Sequence, residues 1–469
     1  MLAGLDAIQD GCPSDPAGIV SGDPSRGDVV NRTALAPISA VLLAGSLGAE
    51  MPANTEVAAS VEWRVGSSQP VLSGTTERVS VSSTESQAVG HSGGPSVSGS
   101  GRYVAFSSLA SNLVPEDSNE RQDVFVRDRG TGTTERVSLS SSGTQANLRS
   151  FQPAVSGDGR YVAFISEASN LVPGDTNGER DVFVRDRETG TTELVSVSSS
   201  GTQANLGSIQ PAVSGDGRYV AYISAATNLV PGETDDRPDV FVRDRQAGTT
   251  ELVSVSSSET HGNQGGLSAA LSGDGRYVAF ASHSSNLVAG DTNGLADVFV
   301  RDQETGTTER VSVRTSGAQL LSFSATPAIS RDGRYVAFES DEFGWAPGDD
   351  NTTTDVFVRD REAGTTEWVS VTSHETPIDS QGDSGSASLS AHGRYVAFTA
   401  RGNVFLRDRA TGTTERVSIS NRTHIGRNSS LEPAISAGGR YVAFTSYKRD
   451  LVPGDTNRRR DVFIRDRRP

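Results

Sequence analysis

The chain has 469 residues, a formal net charge of −16, and 34% hydrophobic residues beside 50 glycines. It is long and apolar enough to bury a core, so disorder throughout is excluded. Its 42 basic side chains, all arginine except Lys448, recur beside acidic residues and form no basic block, which argues against nucleic acid and anionic membrane as partners.

Residues 1–74 stand apart as an Ala-, Gly-, Ser-, Pro- and Asp-rich leader and linker, expected to be mostly disordered. Within them Asn31-Arg32-Thr33 precedes an apolar run, Ala34 to Ala49, whose end is rich in small residues. That is the layout of a secretory signal, and it points to an extracellular or periplasmic protein; an Ala-rich tail of a cytoplasmic protein is the alternative. The true start would then lie near Val29 or Val30. The run is too short and broken for a stable membrane span. The single cysteine, Cys12, allows no internal disulfide, and no cysteine follows the run to carry a lipid anchor.

From Thr75 one repeat fills the chain. Its first element, Thr-Thr-Glu-X-Val-Ser, begins at Thr75, Thr133, Thr191, Thr249, Thr307, Thr365 and Thr413. A second, Pro-Ala-Val-Ser or a near variant, follows, as at Pro153 to Ser156. A third, Gly-Arg-Tyr-Val-Ala-Phe, starts at Gly101, Gly159, Gly275, Gly333, Gly393 and Gly439, with Tyr222 for Phe in the copy at Gly217. A fourth, Asp-Val-Phe-Val-Arg-Asp, starts at Asp123, Asp181, Asp239, Asp297 and Asp355, with variants at Asn403 and Asp461. Each is a short β-branched or aromatic run bounded by turn residues, which is strand chemistry. We call the strands d, a, b and c in that order. Strands b and c are apolar at consecutive positions, as strands buried on both faces are.

The chain opens with a d strand that has no blade before it and ends on a c strand without its d. Pairing the first d with the last a-b-c gives a closed all-β, seven-bladed β-propeller of four-stranded antiparallel blades over residues 75–469, with no exposed edge. The pattern Ser-X-Asp-Gly-Arg-Tyr-Val-Ala-Phe, Asp-Val-Phe-Val-Arg-Asp, Thr-Gly-Thr-Thr-Glu resembles the TolB-type, WD40-like propeller repeat. That resemblance implies a binding or scaffold module, often exported, with no shared catalytic residues. The long repeats and the lack of a recognisable partner domain depart from the type.

The a–b and c–d turns are short and nearly identical between copies. The d–a and b–c connections are long and varied, as at Ser82–Gly94, Arg314–Thr326 and Thr372–Ser386. Function concentrates on such loops. The d–a/b–c face and its central mouth are therefore the expected binding surface for a protein, peptide or glycan, on a monomer. Shielding of blade edges is the plainer use of the same loops.

The b–c loop reads Pro-Gly-Asp-Thr-Asn-Gly-X-X-Asp at Pro173–Asp181. No motif demands a cofactor, but Asp175, Asn177 and Asp181, with Asp291, Asn293 and Asp297, and Asp455, Asn457 and Asp461, have oxygen donors spaced for Ca²⁺. The plainer reading is an Asx-turn, with Asp181 capping strand c. Gly90-His91-Ser92-Gly93-Gly94 and Gly382-Asp383-Ser384-Gly385 resemble nucleophile motifs, but neither is followed by a helix. The six histidines, His91, His261, His283, His374, His392 and His424, show no metal-ligand spacing. Val-Arg-Asp-Arg, as at Arg185 and Asp186, reads as solvated or blade-locking pairs. Binding without catalysis is the first reading. A hydrolase or lyase in the central mouth, opened by the short b–c loop of blade six, is the second. A calcium-stiffened surface module is the third.

Overall fold

The computed structural model describes residues 74–468 apart from 234–235, 346–352, 379–382 and 420–428. The signal-like segment and His424 lie outside the described residues. Seven four-stranded antiparallel sheets follow one another along the chain, each in the order a-b-c-d. Blade 1 runs Ser92–Val97, Tyr103–Ser108, Asp123–Asp128 and Thr133–Arg136. The described residues contain no helix, and so none long and apolar enough to cross a membrane.

The last blade is completed as expected. Thr75–Arg78 pairs with Asp461–Asp466, Thr75 opposite Asp466 and Arg78 opposite Phe463. Val79 and Val81 continue inward and are buried. The ends of the propeller are thus joined by a sheet.

Strands b and c are buried along almost their whole length because the next blade covers one face and the previous blade the other. In each blade an aromatic pair spans the b–c register, as Phe106 with Phe125 and Phe280 with Phe299, with ring centroids 5.9 and 5.7 Å apart. Such offset stacking adds to the area each ring buries.

Strand a begins earlier than its Pro-Ala-Val-Ser core, at Ser150 in blade 2. A bulge at Gln152, whose φ is 50°, offsets the two halves. The first residue is a buried serine bonded across the blade, Ser150 Oγ to Ser166 Oγ at 2.9 Å.

The a–b turns close a circle of backbone bonds around the axis. Gly99 N–H donates to Gly157 O, Gly157 to Gly215, Gly215 to Gly273 and Gly273 to Arg331. Asp332, Ala391 and Ala437 carry the circle back to Gly99. One end of the propeller is therefore gathered tightly by backbone, and the long loops stand at the other.

Blades are also locked at their rims. Tyr103 lies between Arg102 of its own blade and Arg187 of the next, with guanidinium carbons 4.9 and 4.4 Å from the ring centroid. Arg187 bonds Glu135 of the earlier blade at 2.6 Å, and donates to the carbonyl of Gly159. Gly159, at φ 82°, must be glycine, since a Cβ would fall 2.0 Å from the Tyr103 ring. The arginine that closes this lock is Arg129, Arg187, Arg245, Arg361, Arg409 or Arg467, which gives six junctions.

Candidate binding surfaces

The Asp-Asn loops come together as the spacing implies. In blade 2 the Asn177 amide nitrogen donates to Asp181 Oδ2 at 2.9 Å and to Ala204 O at 3.0 Å. Its oxygen accepts the Glu179 N–H at 2.9 Å, an Asx-turn. Gln203 Nε2, from the d–a loop, bridges Asp175 at 2.8 Å and Asp181 at 2.9 Å. Ser196 Oγ donates to the other Asp181 oxygen at 2.6 Å. Asp291, Asn293 and Asp297 repeat this with Gln319 and Ser312. Asn457 and Asp461 do so with Ser80 from the ring-closing segment, while Gln87 turns to Thr456 and leaves Asp455 to Arg78. A calcium ion at Asp181 would have to displace the amides of Asn177 and Gln203. Among the described residues no three His, Cys, Asp or Glu side chains converge as a ligand set.

The sequence did not single out the cation already present. Arg136 stands 3.2 Å from Asp117 and 3.8 Å from Asp123. Arg310 stands 3.5 Å from both Asp291 and Asp297. Arg78 serves Asp455 at 3.5 Å and Asp461 at 4.0 Å. In blade 2 that position of strand d is Leu194. Burial pushes the Asp181 carboxyl up to about 6, offset in part by the bonds from Ser196, Asn177 and Gln203. Burial also raises Asp123, Asp297 and Asp461, with their arginines opposing it.

The sign follows from linkage. Asp181 is protonated more readily in the folded chain than in the unfolded one, whose value lies near 4. Its favourable contribution is complete below about pH 4 and lost as pH rises through about 6. Leu194→Arg is expected to reduce that loss, by on the order of 1 kcal/mol at pH 7. Denaturant unfolding of both proteins at pH 4 and pH 7 checks this. An equal difference at the two pH values would refute it.

The nucleophile-like serines are structural. Ser92 and Ser384 are buried first residues of strand a. Ser92 Oγ is bonded to Ser108 Oγ at 2.9 Å. Ser384 faces Ala400 where other blades have serine, which accounts for its unpaired hydroxyl. His91 takes the Arg460 N–H at 3.0 Å, and burial with Arg459 and Arg460 lowers its pKa. His261 lies 3.5 Å from Glu233 and His392 3.0 Å from Asp332. In blade six the short b–c connection leaves Asn403 to accept a 2.5 Å bond from Lys448 of the next blade. Burial, then Arg416, lowers that lysine to about 8.

Two unlike carboxylates lie on the inner strands. Glu339 accepts the Ser386 N–H at 2.5 Å, and Glu432 the Gly94 N–H at 2.8 Å. Ser386 and Gly94 are bulge residues of the following blade, with φ of 51° and 61°. Each carboxylate thus satisfies a backbone donor that the bulge removes from the ladder.

The loop face carries the exposed apolar groups. Among the described residues the large hydrophobics most open to solvent are Val89, Leu109, Leu148, Leu295, Leu321, Phe323, Phe343 and Leu431. Every one lies in a d–a or b–c connection or, as Leu431, at the loop end of strand a. Leu295, Leu321, Phe323 and Phe343 belong to blades 4 and 5. The Leu321 N–H donates to Glu342, next to Phe343, at 2.8 Å. Ser324, next to Phe323, is bonded to Ala296, next to Leu295, at 2.8 Å. Leu321 is 78% exposed and Phe343 61%.

Sheet order and ring closure define the class: a seven-bladed β-propeller. No protein-family model and no curated protein matches the chain. Solved structures do. TolB from Acinetobacter baumannii is 16% identical at a TM-score of 0.39, over 69% of this chain and 62% of that one. An oligogalacturonate lyase in complex with manganese is 12% identical at 0.49, over 84% and 96%. Pyrococcus horikoshii acylaminoacyl peptidase is 11% identical at 0.46, over 77% and 50%. The chain thus spans 62% of the first of these proteins. Likeness at this level is a likeness of fold.

Proposed function

We propose that this propeller is an exported recognition module that binds a protein or peptide through its d–a/b–c loop face. One observation carries the reading: among the described residues the exposed large hydrophobic side chains all lie at that end, and half of them, including the two most exposed, Leu321 and Phe343, stand on blades 4 and 5. Apolar side chains at a rigid, rimmed surface mark interaction sites. The circle of backbone bonds ties the short turns of the opposite end to one another. The signal-like layout of Asn31 to Ala49 supports export.

The test is selection of binding peptides from a displayed library on the full chain. The pool is then challenged with the double variant Leu321→Lys, Phe343→Lys. Both side chains are exposed, so the variant should fold normally. Binding is expected to fall at least ten-fold. A pool that binds wild type and variant alike would overturn the reading. Amino-terminal sequencing of the mature protein tests export, and recovery of an intact Met1 would count against it.

A further inference from the structure

At the junction of blades 3 and 4 the rim lock is incomplete. The place of the closing arginine is taken by Gln303. Gln303 Nε2 still donates to the Gly275 carbonyl, as the arginines do to theirs. It reaches neither of the other two partners. Tyr219 keeps Arg218 at 4.8 Å on one side and has no second guanidinium. The side chain of Glu251, the counterpart of Glu135, Glu193 and Glu309, makes no hydrogen bond or ion pair with the described residues, whereas those three hold Arg187, Arg245 and Arg361. What remains is a cleft of about 490 Å³ whose lining includes Tyr219, Glu251, Asp274, Arg276, Gln303 and Glu304.

We propose that this cleft binds a guanidinium group, presented by an arginyl side chain of a protein or peptide partner. The six complete junctions show what this place accepts. In one of them the Arg361 guanidinium lies 4.3 Å from the Tyr277 ring centroid and bonds Glu309 at 2.7 Å. Ring and carboxylate recur at the incomplete junction with the cation removed. A planar cation satisfies both at once, by its face on the ring and its edge on the carboxylate. An ammonium group can do only one of these well. The cleft wall adds the carboxylate of Asp274, while Glu304 is already held by Arg276. Arg276 is already committed to Asp302 at 2.7 Å and to Glu304. The site lies at the turn end of the propeller, away from the loop face, and does not depend on the loop-face reading.

The test is calorimetric titration of the full chain with Nα-acetyl-arginine amide, with free arginine, and with the lysine and citrulline amides. Citrulline keeps the shape and removes the charge. The arginine amide is expected to bind one equivalent with millimolar affinity, at least five-fold tighter than lysine amide, with no binding by citrulline. Free arginine binding five-fold tighter than its amide would point to a metabolite and overturn the arginyl assignment. Gln303→Arg should fill the cleft and abolish binding, and Glu251→Gln should weaken it at least five-fold. Arg187→Gln copies the gap at another junction and should raise the stoichiometry to two. Undiminished binding to Gln303→Arg, or unchanged stoichiometry in Arg187→Gln, would overturn the proposal.

Discussion

A chain cut to begin at Ser82 is expected to lose cooperative folding, while one that begins at Gly74 keeps it. The eight residues between those starts supply the fourth strand of the last blade. They bury Val79 and Val81 at 1% and 5% exposure. Each such burial is worth about 2 kcal/mol. Ser80 Oγ donates to Asp461 at 2.6 Å and accepts the Val462 N–H at 3.1 Å. Removing it leaves one oxygen of the Asp461 carboxylate and the Val462 N–H without their partner, with only Asn457 still bonded to the other oxygen, at about 1–3 kcal/mol. The sum, roughly 5–7 kcal/mol, is comparable to the whole stability of an ordinary domain, about 5–15 kcal/mol. The cut also bares Asp461–Asp466 as an open edge that can pair with another chain. Thermal unfolding followed by circular dichroism, with size-exclusion chromatography, compares the two proteins. Equal midpoints would mean that the ring does not need this strand.

The architecture was legible because the repeat is counted rather than inferred. A d strand without a blade at one end and a blade without its d strand at the other permit one closure, and Thr75 does face Asp466. Strand a was less legible. Its bulge at Gln152 breaks the alternation, so only the half beyond the bulge reads as strand. The Asp-Asn loops showed their own turn chemistry, but not the arginine that neutralises them. Arg136 lies on another strand from Asp117 and Asp123, and no local spacing connects them. Leu321 and Phe323 fall in the d–a connection Arg314–Thr326 that the sequence already placed on the loop face, but that Phe343 of the neighbouring b–c connection stands close to Leu321 is known only from the fold. Gln303 is a single exception in a column of seven. It becomes visible when the copies are aligned position by position, but Tyr219 and Glu251, which an arginine there would meet, come from the neighbouring blade.

Phe299→Ala is expected to destabilise the propeller by about 3–5 kcal/mol, the usual cost of emptying a buried phenylalanine site. Phe299 is fully buried and stacks on Phe280. With Val278 and Leu287 of its own blade they pack against Ala221, Ile223, Val240, Val242 and Val253 of blade 3. This is the junction whose rim lock lacks its arginine. An Arg–Glu pair at a half-exposed rim contributes at most about 1 kcal/mol, and a cation over a tyrosine about 0.5–1 kcal/mol. Gln303→Arg should therefore stabilise by no more than about 2 kcal/mol, which is less than Phe299→Ala removes. The inequality explains how a junction can give up its lock and stay closed: the apolar layer holds the blades together, and the rim is left free to change. Urea unfolding of wild type, Phe299→Ala and Gln303→Arg measures both sides of it. A larger effect from the rim substitution than from the core one would show that the blades are held by charge and not by packing.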